Sequence, residues 1–378
     1  MTRIFTMSKW IGIPTYGNKF FLSWTFVLFA LMSVIEVVAI ANVIRYLAGR
    51  VSGDERSITP RFSGCMFYGS SLLSLVFSWR FINMWKKLSL FWSRAELLDS
   101  FLSLDKCIEK RTICVASVFS ICAMVEHLLS MLSETGFEIP AFEIFHSYIM
   151  SSHGFLLTPE YYSLWIGILI FIIAKIATIL WNFLDLIIIL ISMGLTSRYR
   201  RLNSYVNRIV KEENAFRKRV AVEPCVRAQK WRKVREAYAR QAALVRMVDH
   251  NIGPLVLVSN VNNFYFICIQ LFLGLNKSNR EAINSYYYFI SLGWLMVKAC
   301  SVMLVAANIH VYSKEAITNL CLCPSAAYNI EVKRLKYQLT NDYVALSGMG
   351  YFRLDRHTLL EVVGNIIKYE LVMIQYDK

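Results

Sequence analysis

The chain has 378 residues, of which 56% are hydrophobic and 18% are charged, and its mean hydropathy is +0.44. Soluble globular domains average roughly 45–50% apolar and about 25% charged residues. The composition therefore excludes a water-soluble protein and indicates an integral membrane protein. The formal net charge of +15 suits a nucleic acid partner only if the basic residues form a patch.

The apolar residues fall into long blocks. A helix needs about 20 residues to cross the hydrocarbon core of a bilayer. Seven segments approach or exceed this length, and we number them S1 to S7: 20–43, 62–81, 112–132, 161–195, 252–275, 285–309 and 357–376. The alternating segments of about ten residues that are typical of a transmembrane β-barrel are not evident. The predicted fold is therefore an all-α integral membrane protein with seven transmembrane helices, forming a single domain over residues 1–378.

The basic residues are distributed unevenly between the two sides of these spans. Thirty of the 41 Lys and Arg lie in the N-terminus and in the S2–S3, S4–S5 and S6–S7 loops, whereas seven lie in the other loops and the C-terminal tail. Basic loops stay on the cytoplasmic side, so we expect a cytoplasmic N-terminus and an extracellular C-terminus. Topology then explains the charge, and no nucleic acid partner is predicted. The single Asn-x-Ser/Thr sequon, at Asn276, lies in a predicted outside loop, where it is accessible to glycosylation.

The sequence contains no recognisable catalytic constellation. It lacks the phosphate-binding loop, the Gly-x-Ser-x-Gly elbow, and the His-Glu-x-x-His and Cys-x-x-Cys pairs. We therefore predict no enzyme activity, no cofactor and no metal site. The nine Cys give no disulfide framework and are expected to be reduced thiols, with metal binding or acylation at Cys321 and Cys323 as the alternative. A G-protein-coupled receptor has its N-terminus outside, so the predicted topology excludes that class.

The loop between S4 and S5, residues 196–251, is long and basic. After Pro224, apolar residues recur every three or four positions with charged residues between them, at Trp231, Val234, Tyr238, Ala242 and Val245. This period predicts an amphipathic helix that extends S5 into the cytosol. Two interpretations are open: a helix lying on the membrane surface, and a cytosolic bundle in which Trp231, Val234 and Tyr238 pack subunits together.

Ionisable residues inside the spans are costly and suggest functional sites. On the predicted topology they either line a watery cavity in the outer half or pair with one another: Glu36, Glu126, His127, Lys175, Asp185 and Lys298. Aromatic residues crowd the outer ends of S4, S5 and S6, where some form the interfacial belt. Small-molecule sites are mostly apolar with a few polar groups, so the candidate ligand pocket comprises Glu126, Trp165, Phe264, Tyr265, Tyr287 and Trp294.

The last span carries a specific motif. The chain ends Lys368-Tyr369-Glu370-Leu371-Val372-Met373-Ile374-Gln375-Tyr376. Insect gustatory receptors end in Thr-Tyr, five hydrophobic residues and Gln-Phe. Tyr369 and Gln375 occupy the motif positions and Tyr376 replaces Phe, whereas Lys368 and Glu370 replace Thr and a hydrophobic residue. Residues 350–360 also resemble the family's approach to its last helix. The chain thus resembles the insect gustatory receptor family of chemoreceptors.

This resemblance implies a ligand-gated, non-selective cation channel in the plasma membrane of a sensory neuron. It implies a homo- or hetero-tetramer with related receptors, a central pore formed by residues 357–378, and a cytosolic anchor formed by the ends of S4 to S7. Val372 and Gln375 fall on the family's pore-lining positions, and their spacing of three places them on one helical face. The activating ligand is expected to be a small molecule. Because the chain is shorter than the family's sugar receptors, a bitter or pheromone-like ligand is favoured over a sugar.

Two alternatives accompany this interpretation. One is a channel subunit of the same superfamily with a role outside taste, and the other is a non-conducting transporter or scaffold. A transporter often shows inverted repeats and broken spans, and neither is visible in the sequence.

Lys368 and Glu370 are two residues apart and point about 200° from each other, so they cannot pair within one helix. We expect Glu370 to pair with Lys368 of the next subunit or with Lys298.

Overall fold

The computed structural model describes residues 2–14, 19–49, 58–135, 141–157, 162–216, 224–275, 282–325 and 328–376. Within these ranges the secondary structure is helical apart from one isolated β-bridge, between Ser347 and Arg353. A short 3-10 helix follows α1. The α-helices are α1 (Thr2–Met7), α2 (Lys19–Leu47), α3 (Ile58–Leu98), α4 (Ile108–Thr135), α5 (Ala141–His153), α6 (Leu164–Phe216), α7 (Pro224–Leu275), α8 (Ala282–Cys321), α9 (Ile330–Asn341) and α10 (Arg356–Tyr376).

Each predicted span corresponds to one helix. S1, S2, S3, S5, S6 and S7 lie within α2, α3, α4, α7, α8 and α10, and S4 begins three residues later than predicted, at Leu164. In the described part of the chain, six helices are long and apolar enough to cross a membrane, namely α2, α3, α4, α6, α7 and α8. The last helix, α10, is not among the six, and its sequence includes Glu361, Lys368 and Glu370. These charges lower its hydropathy.

Several helices are much longer than a span. Helix α6 has 53 residues and α7 has 52, so each is about 80 Å long at 1.5 Å per residue, against a hydrocarbon core of about 30 Å. Both therefore continue well beyond the membrane on the side of the S4–S5 loop. Helix α7 begins at Pro224, where the missing N–H costs nothing in a first turn. The prediction that an amphipathic helix extends S5 is confirmed.

The apolar stripe of α7 is buried inside its own subunit. Trp231, Val234 and Tyr238 are at most 1% exposed, and they belong to the same hydrophobic core as residues of α6 and α9 such as Leu202 and Val332. The stripe does lie in a helical bundle, but α6, α8 and α9 of the same subunit cover it. The interpretation as a membrane-surface helix is therefore wrong, and so is the packing of subunits through Trp231, Val234 and Tyr238.

Polar contacts fix α9 in this bundle. The Asn329 side chain caps its first turn by accepting from the backbone N–H groups of Glu331 and Val332. Lys314 of α8 donates to three carbonyl oxygens at the other end, those of Leu339, Thr340 and Asp342, at 2.5, 2.9 and 2.7 Å. A cation at a helix C-terminus also interacts favourably with the helix dipole. The sequence analysis did not predict α5 or α9.

The loop 342–355 connects α9 to α10 and is held against α7. Asp249 accepts from the backbone N–H of Ser347 at 2.5 Å and from its hydroxyl at 3.0 Å. At Gly253 an added Cβ would come within 3.2 Å of the Met349 backbone nitrogen, so a glycine allows this close approach. The base of the last helix is thereby fixed to the long helix that continues into the membrane.

Candidate functional site: a cavity between two helices and its link to the last helix

A buried ion pair joins α6 to α8 within the spans. Lys298 Nζ lies 3.3 Å from Asp185 Oδ2, and the two side chains are 3% and 0% exposed. The Ser259 hydroxyl donates to Asp185 Oδ1, and Asn263 Nδ2 lies 3.4 Å from both carboxylate oxygens. The ammonium also lies 3.7 Å from the centroid of the Trp181 ring. Protein groups thus replace water around both charges, as a low-dielectric interior requires.

The sequence analysis left two alternatives for Asp185 and Lys298, which were lining a watery cavity and pairing with another ionisable residue. In the structure the two residues pair with each other. Lys298, the alternative partner predicted for Glu370, has its ammonium buried between Asp185 and the Trp181 ring. The side chain of Glu370 lies outside the described residues.

Lys175, the other lysine of α6 and α8 that lies within a predicted span, has only neutral partners. Its ammonium donates to His127 Nε2 at 2.6 Å and to Tyr148 Oη at 2.9 Å. It also lies 4.5 Å from the centroid of the Phe171 ring and 4.7 Å from that of Tyr148. Because His127 accepts through Nε2, its ring proton is placed on Nδ1. Among the described residues, no ion pair involves Lys175.

A cavity of about 400 Å³ opens between α4 and α6 beside this lysine. Lys175, Thr178 and Asn182 line it from one face of α6, three and four residues apart. Asn182 Nδ2 donates to the Thr178 carbonyl at 3.0 Å, whereas Asn182 Oδ1 is buried without a hydrogen-bond partner. The remaining lining residues are Phe119, Ser120, Ala123, Met124, His127, Ile179, Phe183 and Leu186. Its volume falls within the range of about 300–1,000 Å³ that small-molecule sites occupy.

Glu126 faces away from this cavity although its neighbour His127 lines it. Successive residues of a helix point about 100° apart, and Glu126 Oε1 accepts from the Ser291 hydroxyl of α8 at 2.8 Å. Gln270 of α7 donates to the same hydroxyl oxygen at 3.2 Å. Trp294 packs against Phe119, with ring centroids 5.4 Å apart. Glu126 and Trp294 therefore belong to the contact between α4 and α8, and neither lines the cavity.

The other predicted pocket residues have different surroundings. Trp165 is 80% exposed, so it does not line an enclosed pocket within one subunit. Tyr265 shares a hydrogen bond of 3.1 Å with Ser63 of α3. Tyr287 lies near the start of α8, and Phe264 packs on the last helix. Asn276, the predicted glycosylation site, lies outside the described residues.

Aromatic contacts connect the ion pair to the last helix. The Trp181 indole N–H donates to Asn263 Oδ1 at 3.1 Å, and its ring lies 5.0 Å from that of Phe266. One turn of α7 carries both Phe266 and Phe264, and the Phe264 ring lies 6.0 Å from that of Tyr369. A small buried cluster of Ile267, Leu295 and Ile366 lies beside them. Because Asn182 and Trp181 are neighbours on α6, the cavity wall and the last helix belong to one packed network.

The last helix packs on its own subunit through the face that carries Ile366. Ile366 is buried, whereas Lys368, Tyr369 and Val372 are exposed. Val372 is six residues after Ile366 and therefore points about 240° away from it. The side chains of Gln375 and Tyr376 lie outside the described residues. The exposed face is available to a pore or to a neighbouring subunit.

Two other features bear on where a ligand or metal could bind. Within the described ranges, no group of three or more His, Cys, Asp or Glu is arranged to hold a metal ion. A larger cavity of about 740 Å³ lies beside α1, where Trp85 and Trp92 of α3 line it. None of the six predicted pocket residues lines either cavity, and only the one between α4 and α6 is lined by the span residues Lys175 and His127.

Sequence reasoning identified Lys175 and His127 as ionisable residues inside spans, but it did not place them in the pocket. Thr178 and Asn182 were not singled out. A signal was present in the spacing Lys175, Thr178, Asn182, which marks a polar stripe along an otherwise apolar span. Nothing in the sequence indicated that α4 would stand apart from α6 at this stripe.

Comparison with known proteins gives concordant matches over nearly the whole chain. The family model described as "Trehalose receptor" matches residues 19–378. The gustatory receptor for sugar taste 64a of Drosophila melanogaster is 30% identical over 362 residues, covering 92% of this chain and 76% of the relative. The gustatory receptor 5a for trehalose of the same species is 30% identical over 378 residues, covering 97% and 80%.

A solved structure shares the fold. The insect olfactory receptor OR5 from Machilis hrabei, in complex with eugenol, superposes with a TM-score of 0.69 at 10% sequence identity, covering 99% of this chain and 97% of that one. Without eugenol the same receptor gives a TM-score of 0.69 at 12% identity. At this identity the likeness establishes the fold alone. It confirms the predicted all-α architecture with seven membrane helices.

Proposed function

Because this chain belongs to the trehalose receptor family of insect gustatory receptors, we propose that it is a ligand-gated, non-selective cation channel opened by a small polar ligand of the sugar class. Membership in this family makes it a multi-pass plasma-membrane receptor and not an enzyme. The cavity between α4 and α6 is the proposed ligand site, and α10 is the proposed pore helix. The observation that carries the proposal is the packed network between them.

The ligand class rests on the relatives and on the chemistry of the cavity. The similar Drosophila proteins are named for sugar taste and for trehalose. The cavity offers a donor at Lys175, an unpaired acceptor at Asn182 Oδ1 and aromatic rings at Phe119 and Phe183. Polyhydroxylated ligands require donors, acceptors and apolar walls together. The earlier preference for a bitter or pheromone-like ligand rested on chain length, and none of these relatives is named for such a ligand.

We propose that four subunits surround one pore, with Val372 and Gln375 facing its axis. Support comes from α10, which packs on its subunit through Ile366 and leaves Val372 47% exposed. A ring of valines can close a pore by excluding water. Ligand binding between α4 and α6 would move α6, and the contacts from Trp181 through Phe264 to Tyr369 would pass that movement to α10.

Whole-cell recording from cells expressing the chain tests this proposal. A panel of sugars should evoke a cation current, and cysteine at Val372 or Gln375 should make that current sensitive to an extracellular thiol reagent. Ile366→Cys is the matched control, because its side chain faces the subunit interior and should not react. Surface-expressed protein that binds sugars but never conducts would favour the transporter or scaffold alternative.

The two unusual charges of the last helix have a separate test. We propose that Glu370 of one subunit pairs with Lys368 of the next, since Lys368 is exposed on its own subunit. Removing one partner should then reduce surface expression and current more than removing both, because a lone charge remains. Lys368→Thr, Glu370→Leu and the double variant would be compared. Equal behaviour of all three would show that the charges are uncoupled.

The proposed topology places the N-terminus in the cytosol and the C-terminus outside. Epitope tags at each end, stained in intact and in permeabilised cells, report this directly. Only the C-terminal tag should be visible in intact cells. An N-terminal tag stained without permeabilisation would contradict the topology and the channel assignment with it.

A further inference from the structure

The cavity between α4 and α6 has a charge imbalance that the sugar class alone does not explain. The Lys175 ammonium lines it, with His127 Nε2 and Tyr148 Oη as neutral acceptors for two of its three protons. Within the described residues no carboxylate pairs with it, whereas Lys298 has Asp185. A cation in a low-dielectric site without a counter-ion favours an anionic ligand group.

A hydrogen-bond acceptor without a donor lies at the opposite end of the cavity. Asn182 Oδ1 is buried and has no hydrogen-bond donor. Asn182 is seven residues after Lys175 on the same face, which places the two positions about 10 Å apart along the helix axis. A buried acceptor of this kind requires a donor such as a hydroxyl group.

These two observations select one ligand chemistry. A fatty acid supplies the anion but no donor for Asn182, and a neutral sugar supplies the donor but no anion for Lys175. We infer that the cavity takes a polyhydroxy carboxylate, a sugar acid of the aldonate or uronate type, with its carboxylate at Lys175 and a hydroxyl at Asn182. This inference rests on the proposed function of the cavity and narrows its ligand class.

The lining between the two ends fits such a ligand. Thr178 and Ser120 add hydroxyl groups along the path, and Phe119 and Phe183 supply rings against which the C–H face of a sugar can pack. The Thr178 hydroxyl already donates to the Ala174 carbonyl at 3.0 Å, so it presents acceptor lone pairs to the ligand.

Matched acid and amide ligands test the inference, because the amide keeps the hydroxyls and removes the charge. D-glucuronate with D-glucuronamide, and D-gluconate with D-gluconamide, would be compared at constant ionic strength. Binding to the purified full-length protein in detergent would be followed by the ligand-dependent rise in unfolding temperature, and channel opening by current. We expect the half-saturating concentration of at least one acid to be about 10-fold lower than that of its amide, as a charge-assisted hydrogen bond implies.

Three variants identify the groups responsible. Lys175→Met should remove the difference between acid and amide, whereas Lys175→Arg, which keeps the charge, should retain most of it. Asn182→Leu should weaken acid and amide by similar factors, since it removes the acceptor for a hydroxyl group that both share.

The outcomes separate this inference from the proposed function. Equal binding of acid and amide to the wild type, or an acid preference that survives Lys175→Met, overturns the inference. Currents evoked by neutral sugars with no acid preference overturn it while the proposed function stands. Acid binding that depends on Lys175 but opens no current supports it while the proposed function fails. If no acid or amide binds at all, the inference is wrong.

Discussion

Lys298 and Lys175 occupy two regions of the helical bundle that treat a positive charge in opposite ways. Lys298 lies between α6, α7 and α8, where Asp185 neutralises it and the Trp181 ring covers it. Lys175 lies at the edge of a cavity between α4 and α6, where its hydrogen-bond partners are neutral. The first region is filled and electrically balanced, and the second is neither.

This difference separates a structural charge from a functional one. A buried ion pair loses most when one partner is removed, since the other charge stays behind. An unpaired charge beside a cavity already bears its desolvation cost and contributes to binding only when a ligand arrives. Residue type does not distinguish the two lysines, whereas their surroundings do: Lys298 is buried with a counter-ion, and Lys175 is half-buried beside an empty volume without one.

The largest expected effect comes from breaking the balanced region. Asp185→Asn or Lys298→Met should each destabilise the protein by about 3–5 kcal/mol, because a charge remains in an apolar interior. The double variant Asp185→Asn/Lys298→Met should recover much of this loss. Unfolding temperature and recovery of the assembled protein in detergent are the measurements. Additive single effects in the double variant would show that the two charges are not coupled.

Removing a hydrogen bond between two neutral buried groups should destabilise the protein less than breaking the ion pair. In the bundle of α6, α7, α8 and α9, Tyr238 Oη donates to Asn203 Oδ1 at 2.5 Å. Tyr238→Phe leaves that oxygen without this donor. The expected destabilisation is about 1–3 kcal/mol, measured by unfolding temperature. Tyr337→Phe on α9 is the matched control, because Tyr337 is 72% exposed and its change should be close to zero. Equal effects at the two positions would contradict the assigned hydrogen bond.

The features that could be predicted from the sequence are those that depend on local pattern. Apolar length predicted the seven helices, period predicted the extension of α7 beyond its span, and the residues around Tyr369 predicted the family, which the comparisons confirm. Pairing of the ionisable residues inside the spans was one of two alternatives, and the structure shows it for Asp185 and Lys298. Their similar depth could be read from residue number once the topology was assumed.

The candidate site depends on how the helices are rotated, which no local pattern specifies. Glu126 and His127 are neighbours in sequence, yet one bonds to α8 and the other to α6. Trp165 shares its residue type with Trp294, yet it points away from the bundle. The stripe of Trp231 and Tyr238 looked available to another subunit because the sequence alone did not show α9 returning to cover it.

In the absence of ligand, removing the charge of Lys175 should change the free energy of unfolding much less than removing the charge of Lys298. Lys175→Met removes an unpaired cation and two hydrogen bonds to neutral groups, so the two changes largely offset each other. The expected change in unfolding free energy is within about 1 kcal/mol of zero. Lys298→Met, which removes the same side chain from the ion pair, is its control under identical conditions. If Lys175→Met lowers the free energy of unfolding as much as Lys298→Met does, then Lys175 is structural as well.

The smallest effect is expected where an ion pair is reached by water, at Glu331 on α9. A hydrogen bond from Arg235 at 2.7 Å, together with one from Arg334, lowers the pKa of Glu331 below its usual 4.5. Because the folded-state pKa is lower than the unfolded one, the pair stabilises the protein above about pH 4.5. This stabilisation is lost as the pH falls through the folded-state pKa.

Glu331→Gln should therefore lower stability by about 1 kcal/mol or less at pH 7, the usual range for a partly exposed pair. On acidification the wild type loses the same interaction, so the two proteins should converge in unfolding temperature once the pH falls below the folded-state pKa of Glu331. Glu236→Gln is the control, since Glu236 pairs with Arg232 at a more exposed site, and its difference from the wild type should be smaller at every pH. Parallel curves for Glu331→Gln and the wild type would show that this carboxylate does not stabilise the bundle through its charge.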